Sequence, residues 1–249
     1  MKNKLRNKFK ILNYIIESDK YKITFIITLA LAIYGSVVLG FGQPNFIDAN
    51  FVVFMFPIFN IFMFTIIFLN TLSVCGVFNN ELPFYVLRLE NKKKYLKEYL
   101  KNVLVFNFFN FLIFFLLYFM IMILLKYGMF EIHLYEDYSV SNLVYLLFYL
   151  GRYLIFSLII SLISSLIFIN FKSKVTMLFN SIFMTGFLLG FAGNINKIFY
   201  FLPWSYFNYS IYDTFSLEIC LSIGFGLVLE IIVYLLYKYT LKNKRMEIT

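Results

Sequence analysis

Charge is what this sequence has least of. Only 14% of its 249 residues are Asp, Glu, Lys or Arg, against 61% hydrophobic, and the mean hydropathy is +0.81. A chain with so few charged side chains cannot clothe an ordinary soluble domain. The groups that carry most enzyme chemistry are scarce as well. The single histidine, His133, lies beside Glu131, Glu136 and Asp137. Catalytic or metal-binding use of histidine needs an oriented nucleophile or further ligands, and none converges on it in sequence, so it reads as part of a solvated acidic loop. No G-x-x-x-x-G-K-[ST], H-E-x-x-H or G-x-S-x-G occurs, which excludes a P-loop nucleotide cradle and the common hydrolase signatures. The expectation is a non-enzyme, with no catalytic, cofactor or metal site in its own chain.

Cysteine is nearly absent too. Cys75 and Cys220 fall near opposite ends of their apolar runs, so at 1.5 Å per helical residue they lie at opposite depths and cannot be bridged. The first apolar run follows a basic stretch without a convincing small-residue cleavage site, and is read as an uncleaved signal-anchor.

What the chain does have is long apolar runs. Six are long enough to cross a bilayer: 23–42, 51–78, 103–125, 144–170, 175–193 and 216–237, each near the roughly 20 residues a span needs. No stretch between them could hold a sizeable soluble core. The expected fold is an all-α polytopic membrane protein, with residues 1–249 forming one six-span domain.

The basic residues orient it. They cluster in 1–22, 79–102, 171–174 and from Lys238 onward, while the alternate loops 43–50, 126–143 and 194–215 hold only Lys126 and Lys197. The positive-inside rule makes the basic side cytoplasmic, with both termini inside. The net charge of +9 is then explained by anionic lipid rather than nucleic acid.

Residues 1–22 begin with an amphipathic pattern: Leu5, Phe9, Leu12 and Ile16 recur at helical spacing, with Lys2, Lys4, Lys8 and Lys10 on the wet side. A surface anchor or an elbow helix against neighbouring spans both fit. Span 2 carries Pro57, Asn60, Asn70 and Thr71, tolerated where neighbouring helices or a wet cavity satisfy them. In span 4, Ser157, Ser161, Ser164 and Ser165 share one helical face. Close helix packing is the commoner meaning, a hydroxyl-lined translocation surface the sharper one. Gly186 and Gly190 make a packing notch in span 5.

Charge inside hydrocarbon is costly and usually paired or functional. Arg152 in span 4 and Glu230 in span 6 are the expected pair, with Glu218 as the rival partner for Arg152. The outer segment 194–215 is too aromatic to stand in water, with Trp204 next to Pro203, and reads as a re-entrant or interfacial hairpin.

The stretch "NNELPFYVLRLENKKKYLKEYLKN", residues 79–102, is apolar in its first half and basic in its second. Asn79 or Asn80 can cap a helix there, with Glu81 and Pro83 suited to its first turn. A break near Asn91–Lys94 precedes a second, basic helix running into span 3.

Taken in order, a basic elbow, six spans, an apolar-basic helix between spans 2 and 3 and the hairpin "FLPWSYF" before span 6 resemble an ABC-2-type transporter permease. The likeness covers essentially the whole chain and is architectural. It implies that the helix after span 2 is a cytoplasmic coupling helix docking on a separate ABC ATPase subunit, which would hold ATP and Mg. Leu82, Phe84, Tyr85, Val86, Leu87 and Leu89 are the implied groove-filling residues, and Arg88 the implied rim contact. It further implies a second permease, identical or a sibling, and a bacterial cytoplasmic membrane. The cargo it implies is hydrophobic or amphipathic, an antimicrobial or bacteriocin-like peptide first, with export or self-immunity as the outcome. Two other readings are a six-span substrate-binding subunit of an energy-coupling-factor importer and a standalone membrane immunity protein. Asn60, Asn70, Ser157, Ser161 and Ser165 are the expected cavity or packing residues.

Overall fold

In the computed structural model, residues 16–39, 47, 57–80, 92–124, 132, 134, 135, 139–192 and 214–242 are described. They are almost entirely helical: α1 (Asp19–Tyr34), α2 (Pro57–Asn80), α3 (Lys92–Leu124), α4 (Asn142–Ala192) and α5 (Phe215–Lys242). A two-stranded antiparallel hairpin, β1 (Leu134–Tyr135) and β2 (Val140–Ser141), lies between α3 and α4. Ser139 in its turn has φ 53°, the left-handed conformation that tight hairpin loops require. The sequence reading had only a loop there.

Local chemistry sets the helix ends. Ser18 caps α1 by accepting from the Tyr21 amide at 3.4 Å, with Asp19 in the first turn, where the helix dipole favours a carboxylate. A π-helical turn, Gly35–Leu39, continues α1. At the far end of the chain, the Thr214 hydroxyl accepts from the Leu217 amide at 3.3 Å and opens α5. Helical backbone in α2 runs through Asn79 and Asn80; the segment they were expected to cap lies outside the described residues. Nothing in the sequence stops α2 before Pro83. α3 begins at Lys92 and enters the apolar run without a break, its Lys93, Lys94, Lys97 and Lys101 exposed and Leu96, Tyr99 and Val103 buried.

Helical residues follow one another from Asn142 to Ala192 with no loop between them, and no Gly or Pro stands at Phe171–Lys174 to mark a boundary. The axis nevertheless doubles back. The Ser164 hydroxyl donates to Asn180 Oδ1 at 3.3 Å, 16 residues away, whereas 16 residues of straight helix span about 24 Å. Midway between them is Lys172, inside the short basic link that the sequence placed between its fourth and fifth apolar runs. α4 thus has two antiparallel arms.

Side-chain contacts give the remaining directions. Thr71 of α2 meets Asn107 of α3, and Cys75 meets Tyr99, so these helices are antiparallel. Arg152 of α4 meets Glu218 of α5, and Asn170 meets Thr240, so the first arm of α4 and α5 run parallel. The core lies in three layers along these helices. Tyr145 and Leu146 pack with Ile47 at one end, Phe114, Tyr118, Tyr149 and Tyr153 fill the middle, and Val74, Leu96, Tyr99 and Leu166 close the other end.

Among the described residues, three helices are long and apolar enough to cross a membrane: Lys93–Leu124, Asn142–Phe171 and Phe215–Lys242. The chain therefore has the character of a membrane protein. Residues 1–15, 81–91 and 194–213 lie outside the described residues. With them lie most of the elbow, all seven expected docking residues (Leu82, Phe84, Tyr85, Val86, Leu87, Arg88 and Leu89) and most of the aromatic hairpin.

Candidate functional site: a lateral groove beside a buried ion pair

On α4, Tyr145, Tyr149 and Arg152 recur at helical spacing and share one face. The Arg152 guanidinium is buried against Glu218, and the Glu218 side chain is wholly buried. Arg152 Nη1 donates to Glu218 Oε1 and to Ser222 Oγ, the latter at 3.4 Å. The Tyr145 hydroxyl sits 3.2 and 3.1 Å from the two carboxylate oxygens. The Arg152 cation also lies over the Phe148 and Tyr149 rings, 5.5 and 5.2 Å from their centroids, an arrangement in which the ring quadrupoles favour the charge. Glu218 gains further from its place in the first turn of α5, at the positive end of the helix dipole.

The ion pair is thus made with Glu218, and the expected Arg152–Glu230 pairing is corrected. The reason is register. The parallel packing of the first arm of α4 on α5 sets Arg152 beside Glu218 and Ser222, and Glu230 lies eight residues, or about 12 Å, further along α5 than Ser222. Glu230 is exposed.

Arg152 and Glu230 still border one feature. Between the first arm of α4 and α5 is a groove of about 430 Å³. Its walls are apolar, from Leu147, Phe148, Ile155 and Phe156 on one side and Ile223 and Leu227 on the other, with Arg152, Ser222 and Glu230 as its polar points. Gly151 and Gly226 widen it, since a Cβ on either would meet nothing within 4 Å. The volume falls in the range of sites for small organic ligands. The groove offers a long apolar contact with a carboxylate on one wall, and no nucleophile–base pair lines it.

The serine stripe faces elsewhere. Ser157, Ser161 and Ser165 are all buried, and each hydroxyl donates to a carbonyl of its own helix, at 2.6, 2.7 and 2.8 Å. Their donors are used locally, and their small size lets the helices approach. Asn70 is buried in a small cavity between α1, α2 and α3, apart from the groove. Asn60 lies on α2, and its side chain is outside the described residues.

Several polar residues that hold the helices together were missed in the sequence. Asn170 of α4 donates to Thr240 of α5 at 2.6 Å, and Asn107 of α3 to Thr71 of α2 at 3.3 Å. The Tyr99 hydroxyl joins Cys75 of α2 and the Ser165 carbonyl of α4. An isolated Asn inside an aromatic run, as in "FNFFNF", was the available signal. Both cysteines are free, Cys75 buried and Cys220 exposed. Among the described residues no cluster of His, Cys, Asp and Glu could hold a metal ion; His133 lies outside them. No protein-family model, no curated protein and no solved structure matches this chain.

Proposed function

We propose that this chain is the membrane-spanning permease subunit of an ATP-driven exporter of the ABC-2 type. It would move hydrophobic or amphipathic cargo, a toxic or antimicrobial peptide first, out of a bacterial cell. The observation that carries the reading is the groove between α4 and α5, with apolar walls and one exposed carboxylate, Glu230. Such a lining suits a cargo with an apolar body and a polar or cationic point, entering sideways from the lipid. Within this reading the chain crosses the membrane six times, both ends are cytoplasmic, and residues 82–89 dock on the ATPase that binds ATP and Mg. A second permease covers part of the outward face of α5, whose only buried residues are Glu218, Ser222 and Thr240. The motions of the two ATPases reach the groove through the docking segment.

The deciding experiment is affinity purification of the complex from its native membrane in mild detergent, followed by ATPase measurements with amphipathic peptides. An ATPase subunit and a second permease are expected to co-purify, with hydrolysis stimulated by peptide. Phe84→Asp with Leu87→Asp should release the ATPase. Gly226→Leu, which enters open space in the groove, should keep the complex and abolish peptide stimulation. Purification without any ATPase would overturn the reading. Retention of a small vitamin-like ligand would favour the importer subunit, and toxin binding without any ATPase the immunity protein.

A further inference from the structure

The interior carries a second polar site, unrelated to the groove. Asn70 of α2 and Asn107 and Asn110 of α3 meet Thr28 of α1 around a small cavity. Each asparagine is at least 97% buried, with 1%, 1% and 3% exposure. Their hydrogen bonds within the protein are incomplete. Asn107 Nδ2 donates to Thr71 Oγ1 and to the Val103 carbonyl, and Asn110 Oδ1 accepts from the Tyr21 hydroxyl at 3.5 Å. Left over are both polar atoms of Asn70, the Oδ1 of Asn107 and the Nδ2 of Asn110, none with a hydrogen-bond partner. Buried amides in this condition are strongly disfavoured, more so where lipid replaces water around the helices.

The census of leftover atoms selects the ligand. Two amide nitrogens donate and two amide oxygens accept. A metal or alkali cation would want oxygens alone, and an anion would want donors alone. A half-turn of the Asn110 amide leaves one donor and three acceptors, which is still mixed, and the Asn107 amide is fixed by its two donated bonds. The cavity is open to the centre of a water-sized sphere over about 10 Å³, close to the least volume that holds one water. We propose that these three asparagines bind a single ordered water within the hydrocarbon-spanning core, and that this water joins α2 to α3 beside Thr28 of α1.

Radiolytic hydroxyl labelling tests this, because water activated by a short X-ray pulse marks the side chains beside it. Met63 lines the cavity and is 2% exposed, while Met122 belongs to the same core layer, is 0% exposed and does not line it. In the unaltered protein Met63 should label several-fold faster than Met122. Asn70→Leu, similar in size and apolar, should bring Met63 down to the Met122 rate, and Asn110→Leu should do so at least in part. Equal rates for the two methionines in the unaltered protein would overturn the proposal, as would an undiminished excess at Met63 in both variants. The wild-type comparison decides the matter if neither variant folds. Replacing Na⁺ and K⁺ with choline should leave labelling and melting temperature unchanged. A melting temperature that falls in choline and recovers with either ion would make this a cation site instead.

Discussion

α3 and α5 are similar in length and in hydropathy, and they are assembled in opposite ways. α3 buries Phe106, Phe111, Phe114, Tyr118 and Met122, and aromatic stacking along it, such as Phe114 on Tyr118 at 5.8 Å, fills the middle of the molecule. α5 buries only Glu218, Ser222 and Thr240, and turns Ile223, Leu227, Ile231 and Leu235 outward. In water the α5 pattern would be inside out. In a bilayer it is consistent, since lipid is as good a solvent for leucine as a protein core, and helices associate through packing and polar contacts. α3 adds a buried aromatic face to its polar contacts, whereas α5 buries only polar side chains fully and packs the core with half-buried apolar ones such as Phe225 and Leu236.

The largest effect should come from breaking the strongest of those polar contacts. Arg152→Leu or Glu218→Leu alone leaves a charge buried without its partner, at a cost of about 3–5 kcal/mol. The double variant removes both charges and should be less damaging than either single one. Thermal unfolding followed by dye labelling of the buried Cys75, in a Cys220→Ser background, measures this. A double variant as unstable as the sum of the singles would mean that the two side chains do not act as a pair.

Next comes shape. Leu166 is fully buried, and Leu166→Ala should cost about 2–5 kcal/mol through the cavity it leaves. Leu227 of α5 is 56% exposed, and Leu227→Ala should change stability by less than about 0.5 kcal/mol. Equal losses would show that α5 is packed in solution against something outside this chain, as the proposed second permease requires. The same unfolding assay, repeated on the isolated permease and on the full complex, separates the two cases.

These contrasts also explain what the sequence made legible. Apolar length alone reveals the helical, membrane-type fold, because span length is dictated by bilayer thickness. The basic link at 171–174 sits where α4 reverses, although no helix-breaking residue marks it. Arg152 stood out because a charge in an apolar run is rare, and its partner was misjudged because depth along separate spans does not give their register. A six-span topology with both ends inside already makes the fourth and sixth spans parallel, but that they are neighbours, and in what register, comes only from tertiary contacts such as Asn170–Thr240. The serines were visible as a stripe, but whether they line a route or bond their own backbone depends on rotamers. Asn107 and Asn110 passed unremarked inside "FNFFNF", where their meaning comes from Asn70 of α2, with which they line one cavity.

A smaller effect tests the polar attachment at the other end of α5. Thr240→Val keeps the shape and removes the oxygen that accepts from Asn170. Hydrogen bonds between membrane helices average about 0.6 kcal/mol and reach about 1.7 at most. The loss should fall in that range and remain well below that of Arg152→Leu. A loss of equal size would place the weight of α5 docking on Asn170 rather than on the ion pair.

One small expected change has the opposite sign and separates stability from function. Gly224 and Gly226 both lie in the interior of α5, and a Cβ on either meets nothing within 4 Å. Replacing either with alanine removes backbone freedom from the unfolded chain without a clash, and should stabilise by about 0.4–1 kcal/mol. Of the two, only Gly226 lines the groove. If the groove is where amphipathic cargo lies, Gly226→Ala should therefore weaken peptide stimulation of the partner ATPase while raising the melting temperature, and Gly224→Ala should raise the melting temperature alone. Because both variants share the helix, the chemistry and the sign of the stability change, a difference between them in peptide response can come only from the space beside residue 226. Identical responses would leave the groove as a packing defect of α5, and the cargo route would have to be sought on another face.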